Sequence, residues 1–185
     1  MVGFFRREDC RRCGLRGKDE CKKGEKIMAE ISLLEKRVIE IQALAPVLKA
    51  FSEEWGEKRV KELLSRVNRQ SAREYGEDLA RRLGSATMGE MARELESWGA
   101  DGALEEKVLE RTEKTFFFDV TRCRYAEEYE KMGMRDWGAA LSCCRDFGFV
   151  EGFNPMIRLE RSQTIMEGAA CCDFRYFLEE KAEIA

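Results

Sequence analysis

Apolar residues between positions 26 and 99 recur at steps of three and four, the period of an amphipathic α-helix. Pro46 is expected to end or kink the first helix near Leu44, or to open a second helix as its first residue. The first apolar stripe consists of Ile27, Ile31, Leu34, Val38, Ile41 and Leu48. The second stripe, which Gly84 should stop, consists of Val60, Leu63, Leu64, Val67, Tyr75, Leu79 and Leu83.

A capping box, Thr87 followed by Glu90, marks the start of a third, shorter helix. This helix carries Met91, Leu95 and Trp98 and should end at Gly99. The N-terminal half of the chain is therefore predicted to be helical.

From about Ala103 the apolar period changes from 3.6 to two, which indicates β-strands. Residues 103–111 and 115–121 predict two strands joined around Glu113 and Lys114, although residues 103–111 would also suit a helix. Alternation over residues 156–165 and 172–178 predicts two further strands joined by a turn at Glu167 and Gly168. The second strand should place Phe116, Phe118 and Val120 on one face.

Two short helices, residues 125–132 and 137–147, should lie between these strands and be separated by Gly133. The pattern predicts an α+β fold: a helical N-terminal half followed by a small antiparallel sheet with two crossing helices. Residues 26–185 would form this single domain, and residues 1–25 a cysteine-containing N-terminal segment. A chain of 185 residues with 44% hydrophobic residues is large enough for such a core.

The chain contains no histidine, which excludes Ser-His-Asp triads, Cys-His dyads and imidazole metal ligands. Its formal net charge of −3 does not favour nucleic acid as a partner. No apolar run approaches the ~20 residues of a membrane span. We therefore expect a cytoplasmic protein whose eight cysteines are reduced.

The N-terminal segment holds Cys10, Cys13 and Cys21, and the first two form a Cys-x-x-Cys-Gly knuckle. Such a spacing is typical of zinc sites, and zinc is favoured over an iron–sulfur cluster. Both need four ligands as a rule, so the fourth would be another cysteine, a carboxylate or a residue of a second subunit. The alternative is three reduced surface thiols.

Three further cysteines, Cys123, Cys144 and Cys172, fall in different predicted elements that an antiparallel sheet with crossing helices could bring together. Each lies beside charged residues, which is the environment that activates a thiolate. The alternative is that each packs as a small buried hydrophobe. Cys143 and Cys171 would then face elsewhere and be incidental.

Three segments of the C-terminal half follow one another in order: DVTRCRYAEEYEKMG, LSCCRDFGFVEGFNP and LERSQTIMEGAACCDFRY. Together they resemble the L-2-amino-thiazoline-4-carboxylic acid hydrolase family, and the resemblance covers roughly residues 85–178. Ser162 stands where many relatives carry threonine, and Ala169-Ala170 replaces a more polar turn. The N-terminal knuckle is not part of the family's core.

The resemblance implies that water opens a cyclic amidine of the thiazoline type, leading to a carbamoyl-cysteine. The family's cysteines correspond to Cys123, Cys144 and Cys172, with Cys172 or Cys144 as the nucleophile and Cys123 at the edge of the site. Its polar strand positions correspond to Arg161, the expected clamp for the substrate carboxylate, and Thr164. Glu167 or Asp146 would shuttle the proton. Alternatively, Arg161 forms a cross-strand ion pair on the sheet surface.

A second class of function uses the same residues without catalysis. The cysteine clusters could bind a metal or line the pocket of a small-molecule sensor or binding protein. A homodimer is also expected, because the apolar stripe of the first helix lies beside an incomplete set of metal ligands.

Overall fold

The computed structural model describes residues 31–179, and the chain divides into two units, residues 1–31 and 32–185. The description below concerns the second unit. Cys10, Cys13 and Cys21, together with the domain boundary expected near residue 25, lie outside the described residues, so the zinc prediction stays a prediction.

Three helices form the N-terminal half, as predicted: α1 (Leu33–Trp55), α2 (Glu57–Leu83) and α3 (Met88–Trp98). The predicted capping box of α3 is present, with the Thr87 side chain accepting from the Glu90 amide at 3.3 Å. Of the alternatives for Pro46, an end of α1 near Leu44 and a second helix that opens at the proline are both wrong, because α1 continues through Pro46. Ile41 and Leu48, on either side of this proline, are both buried, and their packing offsets the lost backbone hydrogen bond.

The apolar stripe of α1 packs against other residues of the same chain. Leu34, Ile41 and Leu48 are buried in a cluster that also contains Tyr125 and Tyr129. The stripe that suggested a homodimer therefore already has a partner in its own chain. A different set of apolar side chains on α1 is exposed, namely Ile39, Leu44, Val47, Phe51 and Trp55. The homodimer stays a prediction.

The C-terminal half contains the predicted antiparallel sheet, in the order β1-β2-β4-β3. Its strands are β1 (Leu104–Arg111), β2 (Thr115–Cys123), β3 (Ile157–Glu160) and β4 (Cys172–Leu178). The region 103–111 is thus a strand rather than a helix. The inner sheet face packs on α2, α3 and a later helix through a core that includes Phe116, Phe118, Val120, Phe149 and Tyr176.

The third strand is shorter than the predicted range 156–165, because pairing stops after Glu160. The Asp173 carboxylate accepts hydrogen bonds from the amides of Ser162 and Gln163 at 3.0 and 2.9 Å, so these amides leave the ladder. A single helical turn, Ile165–Glu167, follows, and Gly168 reverses the chain at a φ of 99°. The expected tight hairpin is therefore a longer polar loop.

The two crossing helices are also present. Helix α4 (Arg124–Lys131) follows β2, and a π-helical turn (Ala139–Cys143) leads into α5 (Cys144–Phe153). The helix predicted over residues 137–147 therefore extends further. Gly148 and Gly152 explain its position, because a Cβ on either would lie about 2 Å from a backbone oxygen of α2. The two backbones consequently cross in direct contact.

Candidate functional site

A cavity of about 610 Å³ lies between the inner face of the sheet and the helices. This volume is within the range of small-molecule sites. Six aromatic side chains contribute to its wall: Tyr75, Trp98, Phe118, Tyr125, Phe149 and Phe174. The cavity therefore suits a largely apolar molecule that carries a few polar groups.

The main polar feature of the wall is an ion pair between Asp146 on α5 and Arg161, just after β3. The Arg161 side chain is only 6% exposed, and its Nη2 donates to the Cys143 carbonyl at 3.0 Å. Its guanidinium lies between the rings of Phe147 and Phe174, each 5.0 Å from the ring centroid. The side chain of Arg161 is thus buried, and the alternative of a surface cross-strand ion pair is wrong.

Burial raises the pKa of Asp146, although the neighbouring Arg161 lowers it. The pKa of Arg161 is raised in spite of its burial, chiefly by the charge of Asp146. A raised pKa makes a carboxylate a stronger base than an ordinary aspartate. Asp146 is therefore a candidate proton acceptor.

Three thiols share this wall with the ion pair, from Cys123 at the end of β2, Cys143 before α5 and Cys172 at the start of β4. Burial raises the pKa of Cys172 to about 11 and that of Cys143 well above its usual value. Burial also raises the pKa of Cys123, although the amides of Ala126 and Tyr125 at the start of α4 oppose this. All three are neutral thiols at pH 7.

A β-bulge explains why Cys123 faces the cavity. Glu105 and Glu106 are consecutive on β1, but their partners on β2 are Arg122 and Val120, so Thr121 is an extra residue. Strict alternation from Val120 would point Arg122 inward and Cys123 outward. The bulge reverses this, and bulges commonly redirect a side chain next to a functional site.

Three of the expected site residues lie elsewhere. Cys144, Thr164 and Glu167 line an open groove of about 1040 Å³ on the other side of Cys143 and Arg161, and these last two contribute to both walls. The Cys144 thiol donates to the Ala140 carbonyl at 3.2 Å. The structure therefore brings together Cys172, Asp146, Arg161 and Cys123, and separates them from the other three.

The threonine and the glutamate of the groove are engaged with each other. The Thr164 hydroxyl donates to Glu167 Oε2 at 2.6 Å and accepts from the Glu167 amide at 3.1 Å. Thr164 thereby caps the helical turn that follows it. This pair organises the loop around Arg161, and each side chain has a structural partner.

Cys143 and Glu106 are among the cavity residues that the sequence interpretation missed. Cys143 was assigned no role, yet it lines the wall beside Asp146. Glu106 on β1 also lines the wall. The alternation of Leu104, Glu106 and Val108 could have revealed the glutamate, because it places a charged residue on the inward face of a strand.

Between residues 31 and 179 there is no group of three or more Cys, Asp or Glu side chains placed to hold a metal ion. Within the same residues, no helix is both long and apolar enough to cross a bilayer.

Comparison with curated proteins gives no match. Among solved structures, the chain is similar to the phenol-responsive sensory domain of the transcription activator PoxR, solved with phenol. The TM-score is 0.50 at 14% identity, over 76% of this chain and 75% of that one, which shows a shared fold alone.

The sequence profile of the L-2-amino-thiazoline-4-carboxylic acid hydrolase family matches residues 36–176. The match extends through the N-terminal helices, beyond the C-terminal range of the resemblance. It includes α2, α3 and most of α1, which supply Arg37, Tyr75 and Trp98 to the cavity. The chain belongs to the L-2-amino-thiazoline-4-carboxylic acid hydrolase family.

Proposed function

We propose that the protein hydrolyses a small cyclic amidine that carries a carboxylate and binds in the 610 Å³ cavity. The observation that carries this proposal is the buried pair of Asp146 and Arg161 on a wall that is otherwise largely aromatic. Family membership supports the reaction class, and the cavity is of a suitable size. An activated water and a cation near the substrate carboxylate are the two functions that the pair would supply.

Asp146 would act as the proton shuttle. It would accept one proton from water as the oxygen bonds to the amidine carbon, and pass that proton to the ring nitrogen. It would then accept the proton of the new hydroxyl as the C=O bond forms, and deliver it to the same nitrogen as the ring C–N bond breaks. The products are a free amine and a carbamoyl group, so atoms and charges balance. Between the two carboxyls considered from sequence, the geometry favours Asp146, because Glu167 lies in the outer groove and binds Thr164.

Water is favoured over a thiolate as the attacking group. A nucleophilic cysteine needs a lowered pKa or an adjacent base, whereas burial raises the pKa of Cys172 to about 11. Its sulfur accepts a hydrogen bond from the Ile165 amide at 3.2 Å. Cys172 is nevertheless the better placed of the two candidate nucleophiles, because Cys144 does not line this cavity.

Arg161 is proposed as the cation for the substrate carboxylate. Two of its nitrogens are already engaged, Nη1 with Asp146 and Nη2 with the Cys143 carbonyl. A bound carboxylate would therefore share the guanidinium with Asp146. This sharing would raise the pKa of Asp146 further, because the guanidinium charge would be divided between two carboxylates.

The test is incubation of the purified full chain with L-2-amino-thiazoline-4-carboxylate and detection of carbamoyl-cysteine by mass spectrometry. Asp146→Asn should lower kcat by about 100-fold or more, the usual contribution of a general acid–base group. Asp119→Asn is the matched control, because Asp119 pairs with Arg175 at 2.7 Å and does not line the cavity. Turnover by Asp146→Asn at the wild-type rate would refute the assignment.

A second candidate is binding without turnover, as in a sensor. It is favoured by the neutral state of the cavity thiols and the aromatic wall, and the structural relative was solved with phenol. Calorimetric titration with phenol and with the thiazoline separates the candidates. Saturable binding with no carbamoyl product would favour a binding protein.

For the N-terminal segment we propose zinc bound by Cys10, Cys13 and Cys21 with a fourth ligand. Metal analysis of purified protein checks this. Less than about 0.2 equivalents, with the thiols intact, would contradict the coordination that zinc requires.

A further inference from the structure

Four carboxyl groups line the cavity, and three of them have partners. Glu40 accepts from Arg37 at 2.6 Å, and Asp146 pairs with Arg161. The third, Glu94, accepts from the Tyr75 hydroxyl at 2.7 Å and from the Trp98 ring N–H at 3.1 Å.

The fourth carboxyl, Glu106, has neither a hydrogen bond nor an ion pair to any residue in the range 31–179. It is half-buried on the cavity wall. Its position is not accidental, because the bulge at Thr121 pairs Glu106 with the inward-facing Val120. Without the bulge, Glu106 would lie beside an outward-facing residue.

Strand register also fixes the distance of Glu106 from the thiols. Val120 pairs with Glu106 on one side and with Cys172 on the other, so these residues form one row across three strands. Two strand spacings separate the Cα atoms of Glu106 and Cys172 by about 10 Å. Glu106 and Cys172 both line the cavity, so a small ring can lie between them, and Asp146 and Arg161 line the same cavity.

The electrostatic environment of Glu106 indicates what it would bind. Burial raises its pKa to about 7, and the neighbouring Glu96 adds to this effect. A half-buried carboxyl without a donor is unfavourable unless something supplies one. The Tyr176 hydroxyl, which is fully buried and has no partner among the described residues, is influenced by Asp146, Arg161 and Glu106 together. The Glu106 carboxyl is thus a polar group of the cavity wall that residues 31–179 leave without a hydrogen bond.

We propose that Glu106 forms a second polar subsite that binds the N–H groups of an amidine or amine on the ligand, while the ligand's carboxylate points toward Arg161. The proposal rests on the proposed function of the cavity as a small-molecule site, and it names the feature of the substrate that is selected. The amino group at the amidine carbon would donate to Glu106, which orients that carbon toward Asp146.

Two thiazoles that water does not open provide matched probes: 2-aminothiazole-4-carboxylate and 2-methylthiazole-4-carboxylate. They differ only by NH₂ against CH₃ at the position assigned to Glu106. Calorimetry at pH 8 should show that the wild-type chain binds the amino probe about tenfold or more tightly than the methyl probe, as expected for a hydrogen bond to a charged group. Glu106→Gln should reduce this preference to about threefold or less, because the amide has no charge.

Glu96→Gln is the control, because Glu96 pairs with Arg111 and does not line the cavity. It should retain the preference for the amino probe. If the wild-type chain binds both probes equally, the subsite is refuted, whether or not Glu106→Gln folds. An unchanged preference in a folded Glu106→Gln variant refutes it too. If the wild-type chain binds neither probe and does not turn over the thiazoline, the proposed function fails as well.

Discussion

Replacement of Arg161 by methionine would test whether the site is held together by a buried charge pair. Methionine keeps most of the apolar stem between the rings of Phe147 and Phe174 but removes the charge. Asp146, whose side chain is 16% exposed, would then be a nearly buried carboxylate without its cation. Loss of one partner of a buried pair costs about 3–5 kcal/mol, and we expect a loss in that range at pH 8.

The stability lost in Arg161→Met should depend on pH, and the direction of this dependence follows from the pKa of Asp146. Burial already raises this pKa, and removal of Arg161 raises it further. A carboxyl with a raised folded-state pKa loses stability as pH rises from its unfolded pKa through its folded pKa. The penalty of Arg161→Met should therefore be largest at pH 8 and become smaller toward pH 4, as the buried Asp146 carboxyl takes up a proton in the folded state.

Urea denaturation of the full chain at pH 5 and pH 8 measures both effects. Arg158→Met is the matched control, because Arg158 lies on β3, pairs with Glu160 and Glu179, and has a side chain that is 48% exposed. Exposed pairs contribute about 0–1 kcal/mol, so this variant should lose no more than that. A loss below about 1 kcal/mol for Arg161→Met at pH 8 would refute the view of a buried, unscreened pair.

Two further predictions concern the packing around the site. Gly152→Ala should lower the free energy of unfolding by about 3 kcal/mol or more, because the new Cβ would lie 2.0 Å from the Arg73 carbonyl oxygen. Gly89→Ala should instead raise it by about 0.5–1 kcal/mol, because the new Cβ would meet only the Thr87 hydroxyl, at 4.0 Å, and alanine favours the helix. Equal melting temperatures for the two variants would contradict the close helix crossing. Tyr176→Phe should leave the free energy of unfolding unchanged or raise it by up to about 1 kcal/mol, because it removes a buried hydroxyl that has no partner among the described residues. A clear loss of stability in urea denaturation would show that the hydroxyl has a partner.

The fold was largely predictable because it depends on periodicity. The three helices, the change to a two-residue period near Ala103 and the antiparallel sheet all follow from positions of apolar residues, and the structure confirms them. The predictions that were wrong concern single positions within these elements. Pro46 does not end α1, since buried residues on both sides stabilise the helix, and sequence alone does not show that burial.

The cavity residues were harder to predict, because two irregular backbone features select them. The bulge at Thr121 turns Cys123 inward, although simple alternation from Val120 would point it outward. The π-helical turn over Ala139–Cys143 adds a residue to the helical repeat, and Cys143 lines the cavity while Cys144 does not. Neither feature has a reliable sequence signature, which is why Cys143 was taken as incidental.

The charges around the cavity explain why chemistry there should depend on Asp146 rather than on the thiols. Each arginine of the wall is already engaged: Arg37 with Glu40, Arg161 with Asp146, and Arg145 with the Asn68 side chain at 2.6 Å. Four carboxyls outnumber these three cations, so the wall has no formal excess of positive charge to stabilise a thiolate. The same balance leaves Glu106 without a cation. A ligand with N–H donors and a carboxylate would give Glu106 its missing hydrogen bonds and Arg161 a second anionic partner. A cyclic amidine carboxylate carries these two groups in one small ring.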